Sequence, residues 1–174
     1  MNDELILVDI HDKEIGYGDK ETVHKKGQLH RAFSVFLIDK DKMLIQKRAH
    51  SKYHSGGLWS NSCCSHPRRG EELLESVKRR LHEEIGVYCD TKKIGYIVYH
   101  KKFGEELYEY EYDHIFVGEY DKNNFIINKD EVEEVKWIGI KELEKDILVN
   151  PNKYSVWFLG ALSMVLNHKK IRRK

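Results

Sequence analysis

A chain of 174 residues with 40% hydrophobic content has material for one core and one domain, residues 1–174, and its 30 Lys and Arg against 29 Asp and Glu leave a formal charge of +1. That balance exerts no general pull toward nucleic acid or an anionic membrane, so recognition of an anion has to come from a local arrangement of cations. No run of about 18 apolar residues is present, and "MNDELILVDI" lacks the basic, apolar, small-residue order of a signal peptide, which points to the cytoplasm. Cys63, Cys64 and Cys89 form an odd set with two members adjacent, as expected of reduced thiols.

Apolar and β-branched runs predict strands at Leu5–Ile10, Ala32–Ile38 and Lys42–Lys47, with the segment "DKDK" turning between the last two. The stretch "WSNSCCSHP", Trp59 to Pro67, reads as a loop that is a buried turn, a metal clip or the seat of a reactive thiol. A zinc clip lacks a second paired Cys motif, which leaves Cys64 as a candidate for proton or electron-pair chemistry and Cys63 as a small buried hydrophobe, like Cys89. From Glu71 to Ile85, Leu73, Val77, Leu81 and Ile85 recur at four-residue spacing and Gly86 follows, the pattern of an amphipathic helix with a glycine stop. Strands follow at Ile94–His100, Leu107–Glu119 and Val132–Trp137, and a last helix runs from Tyr154 to about Asn167, leaving "HKKIRRK", residues 168–174, as a solvated basic tail. Strands, helix, strands and helix in one unit predict an α+β fold with a mixed sheet.

Three clusters carry chemical potential. In "EELYEYEYDHIFV" an extended backbone places Glu109, Glu111 and Asp113 on one face. A half-exposed edge strand would account for that face, but with His24, His30 and His66 the carboxylates also form a donor set for a first-row divalent metal. Lys20, Arg48, Lys52 and Arg80 are individually ordinary surface cations and collectively a grip for a diphosphate. In "KRRLHEEIGV", Arg79 with Glu83 and Arg80 with Glu84 stand at i and i+4, as plain helix pairs or, for Glu84, as a ligand to a diphosphate's magnesium.

With those residues in view, the chain resembles the type I isopentenyl-diphosphate isomerases of the Nudix superfamily, over roughly Leu5 to Leu166. The resemblance rests on "LHRAFSVFL", "WSNSCCSHP", "GEELLESVKRRLHEEIGV" and "YEYEYDHI" in that order. Laid on Ser65 to Val87, the Nudix pattern finds Glu71, Arg79, Leu81, Glu83, Glu84, Gly86 and Val87 in place, with Ser65 for the opening Gly and Arg80 for a Glu. A guanidinium there pairs with phosphate and cannot deprotonate water, which argues against hydrolysis.

The resemblance implies a Nudix-type α/β/α sandwich that moves the double bond of isopentenyl diphosphate to give dimethylallyl diphosphate, for isoprenoid biosynthesis. It implies His24, His30, His66, Glu109 and Glu111 as ligands of one Mn2+, Zn2+ or Mg2+, and Glu84 with the Cys64 carbonyl on a Mg2+ brought by the substrate. Lys20, Arg48, Lys52 and Arg80 then hold the diphosphate, Cys64 and Glu111 form the acid/base pair, Tyr99 assists Glu111, and Trp157 walls the isoprenoid. The expected partner is this small-molecule diphosphate, with no nucleic acid or membrane, and the protein is expected as a monomer or weak homodimer. The rival readings are a Nudix hydrolase of a nucleoside or other diphosphate and a binding module without turnover.

Overall fold

The organising strand of the computed structural model, which describes residues 4–172, is β3 (His30–Asp39). Ahead of it come β1 (Glu4–Val8), β2 (Glu14–Asp19) and a short helix, α1 (Lys20–Lys26). After it follow β4 (Lys42–Arg48), β5 (Trp59–Ser60), β6 (Cys63–Ser65) and the long helix α2 (Leu73–Ile85). The chain continues through β7 (Thr91–Phe103), β8 (Leu107–Glu119), β9 (Val132–Gly139), α3 (Ile140–Val149) and α4 (Val156–Arg172).

One edge of β3 runs parallel to β8, from His30 opposite Glu111 to Ile38 opposite Glu119. Its other edge is divided among three antiparallel partners: β1 at His30, β6 from Phe33 to Val35, and β4 from Leu37 to Asp39. The division splays the sheet, because β4 leaves with β5 and β9 while β8 continues with β7. The candidate site is lined from both arms, by Gln46 and Arg48 of β4 and by Tyr99, Glu109 and Glu111 of β7 and β8.

Alternation along β3 builds two cores. Phe33, Val35 and Leu37 pack with Val77, Leu81 and Ile85 of α2, while Phe36 and Ile38 pack with Trp157, Phe158, Ala161 and Val165 of α4 and Leu143 of α3. The expected sandwich therefore forms, a mixed sheet with α2 on one face and α3 and α4 on the other. Of the predicted stripe on α2, Val77, Leu81 and Ile85 are fully buried and Leu73 partly, and each fully buried aliphatic contributes about 1.5–3 kcal/mol. Gly86 ends the helix at φ +70, donating to His82 O at 2.9 Å, and a Cβ there would sit 2.7 Å from the Ile126 Cβ.

Five elements were not expected. The edge strand β2 pairs only with β1 and buries none of its residues fully, so it lacks an alternating signal. Helix α1 has seven residues and depends on its ends: Asp19 accepts from Thr22 N at 2.9 Å, and Gly27 closes it at φ +60. The short β5 and β6 exist because β4 and β3 offer them edges, and α3 packs through Leu143 against a core that periodicity alone does not reveal. Cys64, expected on a loop, is on strand β6. The backbone of α4 continues past Asn167 to Arg172, with Lys169 Nζ 3.0 Å from Asp41 Oδ1, so the expected tail is helical as far as 172; residues 173 and 174 lie outside the described ones. No described helix is long and apolar enough to cross a membrane.

Candidate active site

Four donors converge where α1, β3, β6 and β8 meet. One ligand atom from each of His24, His30, His66 and Glu109 lies within 4.8 Å of the others. The local backbone aims them: His24 Nδ1 donates to Lys20 O at 2.5 Å and His30 Nδ1 to Gln28 O at 2.9 Å, which leaves both Nε2 lone pairs turned inward. His24 Nε2 and Glu109 Oε2 are 3.2 Å apart but poorly aligned, and neither they nor His30 Nε2 has a hydrogen-bond partner. Buried polar atoms without partners are costly, and imidazole nitrogens facing a carboxylate oxygen suit a divalent first-row ion. The donor set fits the metal that the resemblance implies.

Glu111 adjoins this cluster. Its Oε1 is 2.8 Å from His66 Nε2 and 3.7 Å from His30 Nε2, and its Oε2 accepts from the Tyr99 hydroxyl at 2.6 Å. Burial and the Glu109 charge push the Glu111 carboxyl up, but His30 and His66 outweigh them and hold it below the ordinary carboxylate value. Burial likewise opposes ionisation of Glu109, and His24 and His54 hold that carboxyl well below the usual range. His66 is pulled down to about 4 by burial and is neutral at neutral pH. The acidic face of β8 is thus not a wet edge: Glu109, Glu111 and Asp113 are at most 8% exposed, on a strand paired on both sides. Asp113 accepts from Ser34 Oγ at 2.8 Å, and burial pushes its carboxyl well above the ordinary range.

Cys64 reaches the same chamber through β3, where Ser34 pairs with Cys64 on one edge while His30 pairs with Glu111 on the other. Cys64, Glu111, Tyr99 and Trp157 all line one cavity of about 220 Å3. Burial pushes the Cys64 thiol up to about 12 against the opposing Arg48 charge, so it carries its proton at neutral pH. Trp157 belongs both to the core and to this wall: it is 4% exposed, and its Nε1 donates to Ser60 Oγ at 2.9 Å.

Lys20, Arg48, Lys52 and Arg80 come from α1, the end of β4, the following loop and α2, and all border the cavity. Burial lowers the Lys20 pKa, aided by the nearby Lys52 charge and opposed by Glu109 and Glu131. Arg80 donates to Glu84 Oε1 at 2.6 Å and Glu83 Oε2 at 2.9 Å. Glu84 is also held by Gln46 Nε2 at 3.2 Å. Arg79 shares Glu83 Oε2 at 3.1 Å, the expected i,i+4 pair, and grips Glu71 through two contacts, 2.6 and 2.8 Å, which fastens the loop before α2 to the helix.

Sequence reading overlooked some of this chamber. Glu131 bridges two of the cations, Lys52 Nζ at 2.5 Å and Arg80 Nη2 at 3.3 Å. Its position at the head of β9 shows only in three dimensions. Tyr53 and His54 both reach Glu109 Oε1, from a Gly- and Ser-rich segment, "SKYHSGGLW", that carries no periodicity to aim them.

A model of the NUDIX domain matches residues 28–158. Isopentenyl-diphosphate Delta-isomerase 2 of Aromatoleum aromaticum is 45% identical over 98% of this chain and 90% of its own. The protein of the same name from Photorhabdus laumondii is 51% identical over 91% of this chain and 89% of its own. Among solved structures, the MutT NUDIX hydrolase of Burkholderia pseudomallei superposes with a TM-score of 0.65 at 15% identity, covering 79% of this chain and 98% of that one, a likeness of fold. The chain belongs to the Nudix family and, within it, to the isopentenyl-diphosphate Delta-isomerases.

Proposed function

We propose that this protein interconverts isopentenyl diphosphate and dimethylallyl diphosphate, with Cys64 and Glu111 as its proton carriers. The observation that carries the reading is that the Cys64 thiol and the Glu111 carboxylate, from strands on opposite edges of β3, share one small cavity that Lys20, Arg48, Lys52 and Arg80 also line.

An unactivated alkene is a very poor base, so protonation at C4 and deprotonation at C2 require two carriers pressed against the substrate from different sides. Cys64 and Glu111 are that pair, and Tyr99 holds Glu111 in place through its Oε2. Positive charge gathers at C3 between the two transfers. The indole of Trp157 faces that charge and stabilises it by about 0.5–2 kcal/mol, while the burial of the chamber keeps water from capturing it. Lys20, Arg48, Lys52 and Arg80 bind the diphosphate and thereby fix the position of the alkene.

His24, His30, His66, Glu109 and Glu111 would hold one divalent ion, Mn2+, Zn2+ or Mg2+, and Glu84 with the Cys64 carbonyl a Mg2+ that arrives with the substrate. Such ions supply fixed positive charge that anchors carboxylates and neutralises phosphate. The Arg80 guanidinium stands where a hydrolase of this fold carries a carboxylate and cannot serve as a base, which disfavours hydrolysis. Three cysteines, none in a disulfide, suit the cytoplasm.

The test is incubation with isopentenyl diphosphate and Mg2+ in heavy water. Deuterated dimethylallyl diphosphate supports the reading. Released phosphate without it favours hydrolysis, and tight binding with neither product favours a binding module.

A further inference from the structure

The two oxygens of Glu109 have different surroundings. Oε1 accepts from His54 Nε2 at 2.5 Å and from the Tyr53 hydroxyl at 3.2 Å. Oε2 has no hydrogen-bond partner and faces His24 Nε2 at 3.2 Å. His54 is itself 9% exposed, stacked on Phe103 at 4.5 Å and edge-on to Trp157 at 5.7 Å. An ionised carboxylate only accepts, so Nε2 carries the imidazole proton, and Nδ1 meets Ser55 Oγ at 3.1 Å. Ser55 holds a left-handed backbone, φ +52, a conformation that persists only where the surroundings enforce it.

We propose that His54 is a positioning residue for the His/Glu centre, saturating Glu109 Oε1 so that Oε2 stays fixed toward His24 and His30 as a ligand for a divalent cation. The inference rests on the reading of that cluster as a metal centre. Without the His54 N–H, only the longer 3.2 Å bond from the Tyr53 hydroxyl would hold Oε1, and the ion would have to supply more of the carboxylate's ordering on binding. Loss of a hydrogen bond to a ligating group typically weakens metal affinity by about 10- to 100-fold.

A purely space-filling role makes the opposite forecast. His54→Phe keeps a ring stacked on Phe103 and removes the donor, whereas His54→Gln gives up the ring and keeps an N–H. Titration of the metal-free protein with Co2+, followed by visible absorption, separates the two, with melting of each metal-free variant as the check on folding.

The expected order is the wild type and His54→Gln close together, with His54→Phe weaker by about 10- to 100-fold and its absorption bands altered. Wild-type affinity and spectrum in a folded His54→Phe overturn the role of His54 while leaving the centre intact. Absence of Co2+ binding by the wild type, or binding unaffected by Glu109→Gln and His24→Ala, overturns the centre itself, and the role of His54 with it.

Discussion

Arg48 Nη1 lies 3.7 Å from Cys64 Sγ, and the same guanidinium sits 5.1 Å from the centre of the Trp157 ring. A cation so placed favours a thiolate, yet burial prevails and the thiol stays protonated, as the proposed proton donor requires.

Removing either proton carrier should stop exchange without unfolding the protein. Cys64→Ala and Glu111→Gln are each expected to lower deuterium incorporation into isopentenyl diphosphate by about 10²- to 10⁴-fold, the usual worth of a positioned acid or base. Melting temperature is the control. Turnover at the normal rate in either variant would remove that residue from the reaction.

Tyr99 donates to Glu111 Oε2 at 2.6 Å from the neighbouring strand. A hydrogen bond to a charged group is worth about 1.5–3 kcal/mol, so Tyr99→Phe should cost about 10- to 100-fold in kcat with little change in KM. Steady-state kinetics on isopentenyl diphosphate decide it, and an unchanged kcat reduces Tyr99 to part of the wall.

Arg80 is surrounded by Glu83, Glu84 and Glu131. Arg80→Glu puts a fourth carboxylate among them at the proposed diphosphate grip, and KM should rise at least about tenfold, since truncating one partner of a buried charge pair costs about 2–5 kcal/mol. A KM equal to the wild type's would contradict its part in the grip.

Metal removal should show in stability as well as in turnover. The inward nitrogens of His24 and His30 and Glu109 Oε2 make no hydrogen bond to protein groups, and an ion bound among them stabilises the folded state by mass action. Dialysis against a chelator is expected to abolish activity and lower Tm, and Mn2+ or Zn2+ should restore both. A Tm indifferent to chelator and metal alike would count against the centre.

The Glu71 link to Arg79 predicts sensitivity to acid. Burial alone would raise the Glu71 carboxyl, but the Arg79 guanidinium and the Arg68 amide overcome it and leave the folded value below the ordinary one. Its stabilisation is therefore present above an unfolded glutamate's pKa of about 4.3 and is lost as pH falls through the lower folded value. Replacing Glu71 with Gln should cost about 1 kcal/mol, or about 2–4 °C of Tm, at neutral pH. The gap from the wild type should close in acid, as melting curves from pH 7 down to 3 will record.

Much of this molecule follows from local pattern. The alternation of β3 and β8 and the four-residue stripe of α2 depend on backbone periods of 2 and 3.6, which read directly from residue order. Cys64, Glu109, Glu111, Arg80 and Glu84 stood out by residue type and spacing, and the structure gathers all five around one cavity. Strand β6 and helix α1 were not legible, since one borrows its pairing from β3 and the other depends on its two caps. Nor could residue order settle that the acidic strand is buried, that Glu131 spans two cations, or that His54 reaches Glu109 across 55 positions. Those relationships come from β8 lying parallel to β3 while β4 diverges, and long-range strand placement depends on packing among distant segments rather than on the preferences of any one of them.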